Sequence, residues 1–372
     1  MRSISIFLLP TILRKAFGRL NFEPQLSHYE DWLDCSMQLG AQKGQYNRSK
    51  AVRNFYDLVN ESIRLGWNDS LHFAPLTPEE TLEESITRHQ RLMIDKLKLQ
   101  KGRRVLDVGC GVGGPMRRVA REAGMTVLCL NKNTRQLEKT RIKNIEHGLV
   151  EQAEYLNSSF MNLSAIEENS LDAAYALEST CYAPDKVHAF AEIYRVLKPG
   201  ALFWGQEMCL TQLYNVEDQK HRWIEEEIRF TLELKELFTF DEVNGALESV
   251  GFEIIEAENL AEDSDPRTPW YKPMQGSTNF SRLLWGISWV RRMQFAIARL
   301  AEMTRLLPKG VANVFRQADR IAQAFVAGGE SGIYTPLYCF LARKTGEDHA
   351  YAEVHPKPEP KLSTSVDALE TT

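Results

Sequence analysis

Through the middle of the chain the hydrophobic positions switch repeatedly between short continuous runs and helical spacing, and each switch marks an element. Arg104–Val108 is a short β-branched run, followed at once by Gly109-Cys-Gly-Val-Gly-Gly-Pro115 and a helical stretch through Glu122. A strand is then predicted over Met125–Leu130, a helix over Asn133–His147, and strands over Ala153–Leu156 and Leu171–Leu177. A helix over Lys186–Leu197 leads to a fifth strand over Ala201–Glu207. The helix Asp241–Val250 precedes a sixth strand, Phe252–Glu256, and Leu337–Ala342 reads as a seventh. Strands separated by helices predict an α/β fold with a seven-stranded, mostly parallel sheet and helices on both faces.

The flanks follow a different pattern. Gln25–Leu65 and Glu79–Leu99 carry helical spacing, the second opened by Thr77, Pro78 and two glutamates that suit a helix N-terminus. Between the sixth and seventh strands lies a stretch too long for a loop, rich in tryptophan (Trp270, Trp285, Trp289), with helical spacing over Leu283–Leu307 and Val314–Ala327. It predicts a helical subdomain covering one end of the sheet. Residues 1–22 hold Ile6, Leu9, Leu13, Ala16 and Leu20 on one helical face, with Arg14, Lys15 and Arg19 and no acid before Glu23. Charge after the apolar stretch, not before it, disfavours a signal peptide. Two readings remain open, a surface anchor on anionic headgroups and a helix packed on its own protein. Residues 345–372, with Pro356, Pro358 and Pro360 among Ser, Thr and Glu, read as a disordered tail. The organisation expected is an amphipathic segment 1–22, a helical substrate cap 23–100, a cofactor-binding domain 101–260, a C-terminal region 261–344 and the tail.

Composition narrows the function. Of 372 residues 43% are hydrophobic and 26% charged, an ordinary globular balance, and no apolar run reaches the length of a membrane span. A net charge of −5 argues against a nucleic-acid binder. The six cysteines are scattered without a CxxC pair, as expected inside cells where thiols stay reduced, and no metal site is expected.

The glycine turn carries the first chemistry. Gly109, Gly111 and Gly113 let the backbone turn sharply and approach a ligand at the carboxyl edge of the sheet. The spacing is G-x-G-x-G, not the dinucleotide G-x-G-x-x-G, and Asp107 stands two residues before the first glycine. A carboxylate there repels phosphate and attracts an ammonium. The cofactor that carries an ammonium and a sulfonium is S-adenosyl-L-methionine, which electrostatics favours over NAD. Asn131, where a ribose-binding acid is expected, offers an amide. After the third strand Ser159 offers a hydroxyl to adenine, and Phe160 or Met161 its face.

With these residues in view, Val105-Leu-Asp-Val-Gly-Cys-Gly-Val-Gly-Gly-Pro115 resembles the cofactor motif of the sterol 24-C-methyltransferase family. Phe55–Val59 with Gly66-Trp67, and Ser70–Pro75, resemble the family's aromatic substrate motif; Tyr175–Pro184 resembles its acidic segment. Pro269-Trp270-Tyr271, Gly328-Gly329 and Tyr334–Tyr338 resemble its C-terminal region, which general class I methyltransferases lack. The resemblance spans Ser49–Lys344 and implies a Rossmann-like class I methyltransferase fold.

It further implies C-methylation of the side-chain alkene of a sterol or triterpenoid, inside the cell on endoplasmic reticulum or lipid-droplet surfaces. An alkene attacking a sulfonium methyl becomes a tertiary carbocation, which must be held and then deprotonated. Aromatic faces and a carboxylate stabilise such a cation, and a base takes the proton. Tyr56, Trp67 and Phe73 are the expected substrate-binding faces. Glu178, just beyond the fourth strand, is the leading carboxylate and Glu207 the second; His72 and Tyr182 are expected as proton acceptors or orienters. Departures from the family pattern gather around the acceptor: Ile63-Arg64-Leu65, Thr231–Lys235, Tyr182 for a histidine and Met208 for a tryptophan. Ser159 replaces an aspartate in the cofactor site. They keep a non-sterol terpenoid or polyketide acceptor, and an inactive lipid-binding homologue, as alternatives. Assembly into a homo-oligomer is left open.

Overall fold

The computed structural model describes residues 69–262, 264–275, 288–304 and 311–346. The segment 1–22, the helical patterning over Gln25–Leu65, Tyr56, Trp67, Trp285 and the tail beyond residue 346 lie outside them.

The seven strands expected all form, with an additional two-residue strand. They are β1 (Arg104–Val108), β2 (Thr126–Leu130), β3 (Ala153–Leu156), β4 (Leu171–Leu177), β5 (Leu197–Leu210), β6 (Phe238–Thr239), β7 (Phe252–Asn259) and β8 (Tyr334–Lys344). The sheet order is β3-β2-β1-β4-β5-β8-β7, with the two-residue β6 beside β5. β1 to β5 run parallel, and β8 enters antiparallel between β5 and β7. The sheet is therefore mostly parallel, as predicted. β5 is longer than expected at both ends: Leu171 pairs with Leu197 but Ala173 with Leu202, so Lys198–Ala201 bulges out of register.

The helices are α1 (Leu82–Lys96), α2 (Gly114–Ala123), α3 (Thr134–Glu146), α4 (Lys186–Val196), α5 (Gln219–Thr231), α6 (Phe240–Ser249), α7 (Lys272–Gln275), α8 (Ser288–Met303) and α9 (Val311–Ser331). α1 begins later than Thr77-Pro78 suggests, because the start signal is a capping box: Thr81 accepts from the Glu84 N–H while Glu84 reaches back to the Thr81 N–H at 2.7 Å. One sheet face packs Leu106, Phe203 and Phe340 against Phe190 and Ile193 of α4 and Val243 of α6. The opposite face packs Val105, Tyr175 and Trp204 with Met93 of α1 and Met116 of α2. A third cluster lies at the end of β5 and the start of β8. There Met208, Leu210 and Tyr334 meet Ile224 and Ile228 of α5, Phe325 of α9, Trp270 and Phe73. Being antiparallel, β8 starts where β5 finishes, which brings the C-terminal helices to the carboxyl edge of the sheet.

No helix among the described residues is long and apolar enough to cross a membrane. Nor does any group of three or more His, Cys, Asp or Glu among them form a place for a metal ion.

Candidate active site

The site is built where β1 and β4 end. β1 ends at Val108, and the backbone reverses through Gly109 (φ 94°), Gly111 (φ 55°) and Gly113 (φ 82°) into α2. Each φ lies in the left-handed region, where a side chain is strained. The three differ in what surrounds them. A Cβ on Gly109 would stand 2.6 Å from Cβ of Ser179, and one on Gly113 2.5 Å from Cγ2 of Thr140, whereas Gly111 has nothing within 4 Å. The first and last glycines seat the turn against the fold; the middle one faces open space.

That space is a cleft walled by Asp107, Gly109 to Val112, Gln136 of α3, Leu177, and Leu71 and His72 from the strap that precedes α1. Asp107 is 3% exposed, and Tyr175 donates its hydroxyl to Oδ2 at 2.8 Å. Burial pushes its carboxyl up to about 7, only partly offset by that hydrogen bond. A buried carboxylate with one neutral donor and an opening beside it is suited to an incoming cation. The ammonium of S-adenosylmethionine fits, and the side-chain-free Gly111 lets the rest of the cofactor lie close to the backbone.

The strap is anchored behind the glycine turn. Asp69 accepts from Arg117 of α2 at 2.7 Å and from Lys143 of α3, and Arg117 also donates to the Val112 carbonyl at 3.0 Å. Leu71 and Gln136 were not expected in the cleft. Sequence reading assigned the strap to the acceptor alone, and only the Asp69 ion pair shows that it closes over the cofactor turn.

The other residues expected around the cofactor lie differently. Asn131, at the end of β2, donates from Nδ2 to the Gly111 carbonyl (3.2 Å) and to Gln136 (3.0 Å), and accepts from the Asn133 N–H (2.8 Å). It braces the turn from beneath. Ser159 accepts from the Met161 N–H at 3.2 Å, Phe160 packs on the first core cluster, and His188 contacts the Met161 carbonyl at 3.0 Å. This loop leans on α4 and does not line the cleft enclosed by Asp107 and the glycine turn.

Beyond β4 stands Glu178, at φ 52° a non-glycine residue in the left-handed region. Its Oε1 accepts from the Phe73 backbone N–H at 2.6 Å and from Gln206 Nε2 at 2.7 Å. Burial, reinforced by the charge of Glu207, pushes its carboxyl up to about 8, against the lowering effect of the Phe73 N–H. Phe73 therefore reaches Glu178 through its backbone. Its ring packs edge-on against Trp270 at 5.3 Å and Phe325 at 5.5 Å.

Glu207 occupies a separate environment. It is fully buried; Oε2 pairs with Lys186 Nζ at 2.9 Å and Oε1 accepts from the Thr180 hydroxyl. Lys186 also sits 4.7 Å over the Phe238 ring. With both oxygens held inside the core, Glu207 is placed to fix the Thr180–Tyr182 turn, not to face the cleft. Tyr182 lies on that turn, half-buried against the third cluster.

His72 is buried with both nitrogens engaged. Arg118 donates to Gln90 Oε1 (2.8 Å), so Gln90 Nε2 faces His72 Nε2 (2.8 Å) and His72 Nδ1 donates to the Phe73 carbonyl (2.8 Å). Burial brings its pKa down to about 4, and the ring stays neutral. This arrangement orients the strap. Glu178, Asp107, His72 and Phe73 thus meet at one edge of the sheet, while Glu207 and the Ser159 loop stand apart.

The comparisons agree with this geometry. The family description "mycolic acid cyclopropane synthetase" matches residues 43–275, and "sterol methyltransferase C-terminal" matches residues 284–345. The chain is 37% identical to the cycloartenol-C-24-methyltransferase of Arabidopsis thaliana, over 80% of this chain and 88% of that one. It is 35% identical to a sterol 24-C-methyltransferase of Saccharomyces cerevisiae, over 80% and 79% respectively. A solved mycolic acid cyclopropane synthase shares the fold with a TM-score of 0.60 at 16% identity, covering 79% of this chain and 97% of that one. A class I fold, a glycine turn with a buried aspartate and a matching C-terminal region establish that this chain belongs to the sterol 24-C-methyltransferase family of S-adenosylmethionine-dependent enzymes.

Proposed function

We propose that this enzyme methylates the side-chain alkene of a sterol or triterpenoid, with Asp107 holding the cofactor ammonium and Glu178 serving the reacting carbons. The observation that carries the proposal is Glu178 itself, a desolvated carboxylate at the carboxyl end of β4 with one oxygen held by two N–H donors. Bound S-adenosylmethionine supplies a methyl group on sulfonium sulfur. The alkene π pair forms the new C–C bond as the C–S bond breaks, leaving a tertiary cation on the acceptor. In its ionised form Glu178 stabilises that cation, more strongly where water is excluded, and its carboxylate takes the adjacent proton whose loss restores an alkene. The apolar aromatic cluster of Phe73, Trp270, Phe325 and Tyr334 beside this carboxylate supports a hydrophobic acceptor. Trp67 and Tyr56 are further candidate faces.

The named activities of the relatives favour a sterol over a non-sterol terpenoid or polyketide, and the intact Asp107 and glycine turn disfavour a silent lipid-binding homologue. An insoluble acceptor and the basic, amphipathic segment 1–22 support action at an endoplasmic reticulum or lipid-droplet surface, with residues 23–100 capping the acceptor and 261–344 roofing it. The test is mass spectrometry of products formed from methyl-labelled S-adenosylmethionine with a panel of Δ24 sterols, Δ24 triterpenes and shorter terpenoids. Label on a sterol or triterpene side chain is expected. Label only on a shorter terpenoid, or none in protein that binds the cofactor, overturns the proposal.

A further inference from the structure

Gln206 is a fully buried amide in the middle of β5, placed in register with Leu177, one residue before Glu178. A core strand position of this kind normally takes an apolar side chain, and a buried amide is retained only where its hydrogen bonds are made. Here the partners determine which way it points. Nε2 faces three acceptors: Glu178 Oε1 at 2.7 Å, the Pro336 carbonyl at 2.9 Å and the Phe73 carbonyl at 3.2 Å. A carbonyl oxygen in that position would face three lone pairs, so the amide nitrogen must occupy it. Gln206 Oε1 then turns to His89 Nε2 of α1, 2.8 Å away, which must carry the proton. His89 Nδ1 is left as a bare acceptor, buried and with no partner among the described residues.

The cost of that orphaned nitrogen shows where the constraint lies: α1 accepts an unsatisfied atom while the amide keeps its orientation. The amide in turn gives Glu178 a second N–H on the same oxygen that receives the Phe73 N–H. Glu178 Oε2 has no partner among the described residues, so the orientation that fills Oε1 leaves Oε2 to the site.

We propose that Gln206, locked by His89, is a positioning residue for methyl transfer: it holds Glu178 with Oε1 occupied and Oε2 free, and favours the charged form of that carboxylate against its burial. The inference rests on the role given to Glu178 above. Two N–H donors favour the charged form against desolvation, which favours the neutral one. The other groups near Glu178 are Glu207 on β5, compensated by Lys186 of α4, and Cys181 on the short turn after β4. Tyr334 and Cys339 approach from β8, and the strap brings the Phe73 N–H, with the neutral His72 ring held to the Phe73 carbonyl. None of these side chains donates a hydrogen bond to the Glu178 carboxylate, Cys181 Sγ donating only to the Glu178 backbone carbonyl at 3.2 Å, so Gln206 is the one side chain among the described residues that donates to that carboxylate.

The experiment compares Gln206→Met, close in volume but without donors, with His89→Phe and Glu178→Gln. Each is first checked for cooperative unfolding and cofactor binding. Carbon-13 NMR of protein labelled at glutamate carboxyls, titrated with cofactor bound, follows Glu178 through the resonance lost in Glu178→Gln. The pH profile of kcat is measured with the Δ24 acceptor that turns over. Gln206→Met is expected to raise the Glu178 titration by about one pH unit and to move the acid limb of kcat equally, about tenfold in kcat at a fixed pH on that limb, with KM for the cofactor within threefold. His89→Phe frees the amide to rotate and is expected to give a smaller shift in the same direction, which keeps the test open if Gln206→Met fails to fold. An unmoved titration in folded variants, with Glu178→Gln inactive, overturns the positioning role. Full activity in Glu178→Gln instead overturns the reading of Glu178 on which it rests.

Discussion

The backbone N–H of Phe73 donates to Glu178 Oε1 across 2.6 Å, tying the strap ahead of the first described helix to the end of β4, 105 positions away in the chain. The same strap walls the cofactor cleft through Leu71 and His72, so one short segment contacts both the cofactor side and the carboxylate side of the site. Glu178→Gln preserves an oxygen to accept from Phe73 and removes the charge. Cofactor affinity is expected to stay within threefold while kcat falls about 100-fold or more. Isothermal titration together with single-turnover kinetics checks both halves.

Asp107 links cofactor binding to pH. Its carboxyl is raised to about 7 and that of Glu178 to about 8, so folding favours their protonated forms. That contribution is complete below the unfolded values near 4 and is lost as pH rises through 7 and 8. His72 and His89, lowered to about 4 and about 3, act in the opposite direction, and their contribution is lost only as pH falls below about 6.5. Between pH 6.5 and 8 the acids alone set the slope, and the cofactor-free protein is expected to lose about 2 kcal/mol. Asp107→Asn should flatten the lower part of that slope, raise the melting temperature at pH 8 and abolish cofactor binding. Thermal unfolding across pH measures the slope, and retained affinity in the variant removes the ammonium assignment.

The glycine turn separates folding from binding. Gly109→Ala drives a Cβ to 2.6 Å from Ser179 and is expected to destabilise the fold by about 2–3 kcal/mol. Gly111→Ala meets nothing within 4 Å and costs only the left-handed backbone, about 1 kcal/mol. Its methyl group enters the cleft, so the folded variant should bind cofactor at least tenfold more weakly. Chemical denaturation and cofactor titration of the two variants test the contrast.

Lys186 and Glu207 form a buried ion pair that breaks asymmetrically. Lys186→Met leaves the Glu207 carboxylate uncompensated and is expected to cost about 3–5 kcal/mol, whereas Lys186→Met with Glu207→Gln recovers most of it. If the double variant also keeps turnover near the parent level, Glu207 acts through the fold. Loss of turnover in a stable double variant would return Glu207 to the chemistry.

Local signals carried much of the fold. The short runs at Arg104–Val108, Ala153–Leu156 and Leu171–Leu177 became strands with those bounds; for β1 and β4, packed on both faces of the sheet, a short largely apolar run bounded by turns is the signature of a buried strand. α5 was not foreseen: charged residues interrupt its apolar stripe, and its start depends on Asp218 accepting from the N–H groups of Lys220 and His221. The antiparallel direction of β8 was not legible either. Strand direction leaves no periodicity in a chain, and it places Tyr334 and Thr335, not Lys344, at the functional edge.

The same division runs through the site. By itself the sequence determined the strands of the sheet, the glycine turn with Asp107 behind it and the presence of acids just after the fourth strand and on the fifth, since strand pattern and turn chemistry are local properties. Which acid meets the strap beside the cleft was decided only in three dimensions. Glu207 meets Lys186 from α4, whereas Glu178 meets the Phe73 N–H and an amide held by His89. The energy of a charge depends on what surrounds it after folding, and those surroundings come from distant parts of the chain.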